Sequence, residues 1–519
     1  MGKGNRTIKY ICMMMSLVFV LSFTGTVGDM GVDNMDYVHA ADKDTSMIRV
    51  GLEGIYYNKS SITIRNSAVV FGYSINNSYS KEMSLSGGEF TFKPYKSSIS
   101  VTGSYKTYDE AKTMADSMGV EAYPILKYHN TWSVATVGSG NVDSYAIMVT
   151  SDNGHGFLYT ADERGAYPQI MAGSGNSEGV YVVDLGERQY RGRIEIGRYS
   201  GSSSLKVVNI VELEEYLYGV VPCEMVYAWH KEALKAQAVC ARSYAYTIGF
   251  STATNITRPY SMCDTTSSQV YKGYGAERKS TNEAVDETKG QIIYYNDKPV
   301  RAYYSSTSGG STENVEDVWG TPNGYLRQVS DIYELEPELD PWVITLNTSE
   351  IEKLMKEDGI AVGNITDIRP FVMTASGRVY SVEVVGDSSQ VITGSRLRKI
   401  FSLYSTKYKV IKYGDNPDYV STLSANGTYA VEISESYIAS GNYLVSKASS
   451  DIEQFVVMTK DNLINYPAKA PDNPDTYYIA GMGYGHGIGL SQSGAKGMAE
   501  AGFTYDEILK HYFTGIEVR

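Results

Sequence analysis

KEALKAQAVCARSYAYTIGF, residues 231–250, is the stretch on which the reading of the fold turns. It carries Ala at 233, 236, 238, 241 and 245, Glu232 in its first turn, and no Gly or Pro before Gly249. Ala has the best helix propensity and an acidic side chain suits the positive helix start, so the spacing predicts a helix over 231–250. Its small side chains let a neighbour pack close, which marks this helix as core. Just before it, the apolar run LKVVNIVEL (205–213) reads as a strand, and the character breaks at Val220-Val221-Pro222-Cys223-Glu224-Met225. After it, strand-rich chain runs to about Ser311. A mixed region (341–410) and a Tyr- and Asn-rich stretch to about Asp475 follow. The chain then passes through GMGYGHGIG (481–489) into two short helical segments, 491–501 and 504–512.

The 519 residues are 42% hydrophobic and 20% charged, enough apolar material for a sizeable core and room for about three domains. A net charge of −13 excludes general electrostatic binding of nucleic acid or anionic lipid. Tyrosine dominates the aromatics, 45 against 12 Phe and 4 Trp. A flat face with a hydroxyl suits wet grooves and sugar rings, and equally suits the strands of a secreted β-rich protein. Lys3, Arg6 and Lys9 precede the apolar run 10–23, which is too short for a spanning helix of ~20 residues and reads as a secretion signal. Val38-x-Ala40 offers a cleavage site, and a retained N-terminal anchor is the alternative. Either way the location is extracytoplasmic, secreted or anchored at the cell envelope. Beyond Cys12 only Cys223, Cys240 and Cys263 occur, so no disulfide framework is expected.

Between the signal and residue 180 the chain reads as short strands, among them 47–57, 61–64 and 68–73. From 98 to 150 the order becomes strand (SISVTGSY), helix (108–118), two strands (121–127, 131–138) and a second short helix (142–148). With Gly103-Ser104-Tyr105 and Trp132-Ser133-Val134, this βαββα order resembles the SPOR module, which implies binding to peptidoglycan glycan strands. Residues 41–180 are therefore expected to form an accessory wall-binding region, and residues 181–519 the catalytic one.

A second resemblance rests on several separated motifs in order. Tyr216–Met225 (YLYGVVPCEM), Glu232–Ala245 (EALKAQAVCARSYA), Ser268–Gly273 (SQVYKG), Ala302–Ser306 (AYYSS) with Gly309-Gly310, and Gly485–Ala495 (GHGIGLSQSGA) are similar to the SpoIID/LytB family. Ser376-Gly377-Arg378-Val379 and Gly394–Arg398 are lesser matches. Together they span about residues 180–519. The resemblance implies an α+β fold, β-rich around a central Ala-rich helix with C-terminal helices. It implies a peptidoglycan lytic transglycosylase that cuts peptide-free MurNAc–GlcNAc strands to 1,6-anhydroMurNAc ends. Because the family also holds amidase enhancers, the alternative is a non-catalytic peptidoglycan-binding protein that assists a cell-wall amidase.

The resemblance places the catalytic acid at Glu224. The residues agree: Pro222 stiffens one side, Val220, Val221 and Met225 surround the position, and a carboxyl half-buried there has its pKa raised, as a general acid requires. The competing reading is a carboxylate that caps the following helix at its positive end. Lytic cleavage needs one carboxyl as acid and then base; Asp264, Glu313 and Asp317 are the candidates for a second. The glycines around His486 free the loop to lie against a ligand, and the helix start at Ser491 and Gln492 offers N–H groups to an acetamido or carboxylate oxygen. Arg242 either holds a substrate carboxylate or forms a buried ion pair. Tyr244, Gln269, Tyr271, Tyr303 and Ser305 complete the expected substrate contacts, with strand core the other reading of Tyr271. Some relatives carry a Cys–His–Cys cluster where this chain has Cys263, Ser267 and Ser268. Two of three soft ligands are replaced by hydroxyls, so no metal and no cofactor is expected.

Overall fold

The computed structural model describes residues 47–412, apart from short gaps (76–77, 128–130, 139, 144, 163–165, 250–258 and 335–341), and residues 473–519. Between 413 and 472 it describes only the backbone of short antiparallel hairpin strands. The signal or anchor expected at 1–40 lies outside the described residues. Among these, no helix is long and apolar enough to cross a membrane.

The fold is α+β. A seven-stranded sheet takes the order 262–263, 47–51, 206–212, 193–197, 169–172, 68–75, 78–86. An eight-stranded sheet takes the order 62–64, 90–94, 147–151, 156–159, 122–127, 131–137, 98–105, 141–142. Alternation decides which side chains face inward. Met47–Gly51, for example, buries Ile48 and Val50 completely and leaves Met47 and Arg49 partly out. The inner faces meet through aromatic rings: Phe71 of the first sheet lies 6.3 Å from Phe92 and 5.6 Å from Phe157 of the second.

Two expectations change here. Residue 180 is not where the packing divides. The strand 47–51 lies antiparallel to 206–212 and parallel to 262–263, and one core runs from Ile48 to Val285. The second short helix expected over 142–148 is instead a two-residue strand, a turn and the strand Ile147–Ser151. Ile147 and Val149 point into the sandwich, and a strand holds alternate residues on that face where a helix does not. The 98–137 segment keeps its strand–helix–strand–strand order, its helix Tyr108–Ser117 started by a Thr107 cap, and is woven into the larger sheet.

The Ala-rich segment forms the helix Lys231–Gly249, and all five of its noted alanines are fully buried. Part of this helix packs on the sandwich core and part on a second core with the helices Gln492–Glu500 and Tyr505–Tyr512. A third core gathers the strands Trp342–Asn347, Thr476–Met482 and Lys407–Lys412, the meander 367–393, and the helices Thr348–Glu357 and Gly394–Ile400. The glycine-rich loop after Met482 leaves this third core and enters the second.

Candidate active site

Glu224 is the last residue of the helix Leu213–Glu224. The chain passes straight from the strand Lys206–Glu212 into this helix. Pro222 falls within the last turn of this helix and removes one intrahelical N–H donor there. Leu217, Val220 and Val221 are fully buried, and Glu224 follows on the same face seven, four and three residues on, so helical periodicity turns its carboxyl inward. Gly219 is required on the way: a Cβ there would stand 2.5 Å from the Tyr271 ring.

The carboxyl is half-buried. Its Oε1 accepts from the Val270 backbone N–H at 2.7 Å, and Gln492 Nε2 points at Oε2 from 3.4 Å. Burial pushes its pKa above the ordinary carboxylate range, against the Val270 N–H, the neighbouring Tyr304 and Gln492 side chains and the Lys272 charge. It sits at the carbonyl end of its own helix and caps no following one, where the dipole also disfavours negative charge. Gln492 reaches in turn toward Gln237 Oε1 at 3.4 Å. Asp264, Glu313 and Asp317 are engaged elsewhere: Asp264 with the Gly54 N–H, Glu313 with Thr374 and Ser376, Asp317 with Asn314.

Tyr303, next to Tyr304 in the chain, belongs to an aromatic cluster. The Tyr303 ring lies 4.6 Å from Trp319, 5.8 Å from Tyr244 and 6.2 Å from His486, and Trp319 lies 5.1 Å from His486. The Ile488 N–H donates to His486 Nδ1 at 3.0 Å, so the neutral ring carries its proton on Nε2. Burial, with Arg398 and Arg378 nearby, lowers the His486 pKa to about 3. This imidazole is neutral at physiological pH. Gly487 has φ +74°, and a Cβ there would collide with the Arg378 guanidinium, so only glycine lets the loop lie on that arginine.

The structure thus places Gln492 against Glu224 and joins Tyr244, Tyr303 and His486 in one ring cluster. Ser305 is a supporting residue, buried and paired with Ser491 between two parallel strands. The other expected contacts are corrected by their surroundings. Arg242 is fully buried, holding Glu214 through Nε (2.9 Å) and Nη2 (2.8 Å) and also the Val285 carbonyl; it is the ion pair. Tyr271 is core, its hydroxyl donating to Asn209 and its ring 4.8 Å from Tyr216. Gln269 is fully buried, accepting from the Tyr216 hydroxyl and donating to the Ala241 carbonyl. Ser491 caps the helix Gln492–Glu500, and Ser493 N–H donates to the Ser306 carbonyl, so that helix start does not offer the open set of N–H donors expected. Ser268 takes its expected place beside Cys263, 3.6 Å from the sulfur, as a hydroxyl. Among the described residues no group of three or more His, Cys, Asp or Glu is placed to hold a metal ion.

Sequence reasoning missed Gln237, Tyr304 and Trp319. Gln237 had a signal: it is a polar residue on the otherwise apolar face of the Ala-rich helix. Trp319 had only its rarity.

Residues 201–295 match the family model described as Stage II sporulation protein, SpoIID. Over that segment the chain is similar to the SpoIID family. It is 32% identical over 345 residues to a protein named amidase enhancer from Bacillus subtilis (strain 168), covering 64% of this chain and 44% of that one. It is 27% identical over 326 residues to stage II sporulation protein D of the same strain, covering 60% of this chain and 75% of that one. The Bacillus amyloliquefaciens protein of the same name is 25% identical over 323 residues, with the same coverage. The chain thus spans less than half the length of the amidase enhancer it resembles.

Proposed function

We propose that this protein is an extracytoplasmic lytic transglycosylase of the cell wall, cutting peptide-free MurNAc–GlcNAc strands with Glu224 as its acid and base. The observation that carries this reading is one half-buried carboxyl, its pKa raised by burial, that meets the Val270 N–H, Gln492 and Tyr304 and, among the described residues, no second carboxylate. A hydrolase that activates water wants a carboxylate pair. An internal nucleophile needs one group only.

In this scheme Val270 N–H occupies Oε1, so the transferable proton sits on Oε2, beside Gln492. Glu224 gives that proton to the glycosidic oxygen as the bond to the muramoyl anomeric carbon breaks, releasing the GlcNAc hydroxyl. The carboxylate then takes the proton of the muramoyl C6 hydroxyl as that oxygen bonds to the anomeric carbon, closing the 1,6-anhydro ring and restoring the acid. Neutral His486 holds its place by edge-on and tilted ring contacts with Tyr303 and Trp319 and can offer its Nε2 proton only as a hydrogen bond. The wall-binding role expected of the SPOR-like segment belongs in this scheme to a sandwich continuous with the catalytic part.

A second reading follows from the relative named amidase enhancer: a wall-binding protein that assists an amidase without cutting glycan. Product analysis separates the two. Purified peptide-free strands incubated with the protein alone yield 1,6-anhydro ends under the first reading and remain intact under the second.

A further inference from the structure

Asp331 and Glu334 are 1% and 4% exposed, and both face the equally buried side chain of Ser308. The Ser308 Oγ lies 2.9 Å from Asp331 Oδ2 and 2.9 Å from Glu334 Oε2, and it accepts the Gly310 N–H at 3.1 Å. A hydroxyl has one hydrogen and two lone pairs, so it can donate to only one of these carboxylates. With both acids ionised, the other contact would set two oxygens at hydrogen-bonding distance with no hydrogen between them. A proton on either carboxyl removes the conflict: that carboxyl donates to Ser308, and Ser308 donates to the other.

We propose that Asp331 and Glu334 share a single proton through Ser308, and that this proton is a pH-sensitive clamp on the C-terminal helices. Tyr512, the last residue of the helix Tyr505–Tyr512, donates to Asp331 Oδ1 at 2.8 Å. The hydroxyl of Ser491, the cap of the helix Gln492–Glu500, also reaches Asp331. Gly310 N–H donates to Glu334 Oε2 at 2.9 Å, and Asp331 N–H to the Gly310 carbonyl at 3.1 Å. Three cationic side chains approach the same place. His511 acts on Asp331 while its ring Nε2 meets the Ser330 carbonyl, and Arg378 and Lys407 donate to the carbonyls of Ser308 and Gly309, each at 2.6 Å. Burial outweighs His511 and the hydroxyl donors and raises the Asp331 pKa. Loss of the proton would set two negative charges about one hydroxyl and loosen the seat of the helix whose first residue, Gln492, meets Glu224. The clamp is independent of the chemistry at Glu224. The folded chain keeps a proton that unfolded Asp and Glu release near about pH 4, so its stability is full below that pH and declines as pH rises through the folded pKa.

The test measures melting temperatures of the full chain from about pH 5 to 9, and the infrared difference between wild type and variant at neutral pH. Asp331→Asn puts an amide N–H where the protonated carboxyl would donate to Ser308, and keeps an oxygen for Tyr512. Relative to the wild type it should lose the alkaline decline, a difference of about one proton released on unfolding, and melt no lower at the alkaline end. Glu334→Gln should flatten the profile likewise, at a lower melting temperature, because its amide nitrogen opposes the Gly310 N–H. The infrared difference should show one protonated-carboxyl band lost in Asp331→Asn, since Glu334 is then ionised and accepts from Ser308. An alkaline decline as steep in both variants as in the wild type, or no carboxyl band lost, would overturn the clamp. So would an Asp331→Asn protein that melts below the wild type at every pH, because the pair would then be doubly ionised.

Discussion

The sandwich of the first half of the chain and the helical layer behind Glu224 are built by opposite rules. In the sandwich, partners are far apart in sequence: residues 47–51 lie between 206–212 and 262–263, and Arg49 reaches Glu195 at 2.6 Å. In the helical layer, each element declares itself locally, by alanine spacing, by the Ser491 cap, or by the Thr504–Glu507 capping box. Chemistry sits where the two meet. Glu224 hangs from a helix rooted in the sandwich, while Gln492 and His486 come from the far end of the chain. A change in either region therefore reaches the site, but by different routes.

The sharpest way to break this comparison is to cut it. A chain starting at residue 181 loses the strand 47–51, and with Arg49 the partner of the almost fully buried Glu195. An orphaned buried charge alone costs ~3–5 kcal/mol, so this fragment should lack a cooperative melt and be digested rapidly by protease. A well-folded, active 181–519 fragment would show the two regions to be independent.

Arg242→Ala probes the helical layer. It strips Glu214 of a bidentate partner, with an expected loss of ~3–5 kcal/mol read as a large drop in melting temperature. Lysine should restore little, because it lacks the planar fork. Unchanged stability with raised KM would return Arg242 to the substrate.

His486 supplies a pH signature at the seam. Its pKa falls from 6.5 to about 3 on folding, so the unfolded chain takes up the proton first, and stability declines as pH drops from 6.5 toward 3. Melting temperatures of the wild type should fall more steeply across that window than those of His486→Gln. Parallel curves would mean the ring is not held neutral.

The smallest effect belongs to Tyr271→Phe. It removes one hydrogen bond to Asn209, costs about 1 kcal/mol, and should leave glycan cleavage intact. Impaired cleavage at unchanged stability would restore Tyr271 to the site.

The helical layer was legible because periodicity and caps are local. The strands of the sandwich were legible singly, but their pairing was not: the order of strands as far apart in sequence as 47–51 and 206–212 depends on shape matching across the whole core. The site residues divided in the same way. Glu224 was marked by the family resemblance, with its apolar setting in agreement, and His486 by its glycine-dense loop within a motif of the same resemblance. Arg242, Gln269 and Tyr271 did not reveal themselves as internal, because a polar or aromatic residue looks alike in sequence whether it faces a sugar or a buried partner.

Mass spectrometry of peptide-free glycan strands after incubation with wild type and Glu224→Gln tests the central claim most directly. Glutamine keeps the volume and removes the transferable proton, so 1,6-anhydro products should appear with the wild type and fall by ~10²–10⁴ in rate with the variant, at an unchanged melting temperature. Wild-type activity in the variant, or products with reducing ends only, would contradict the account.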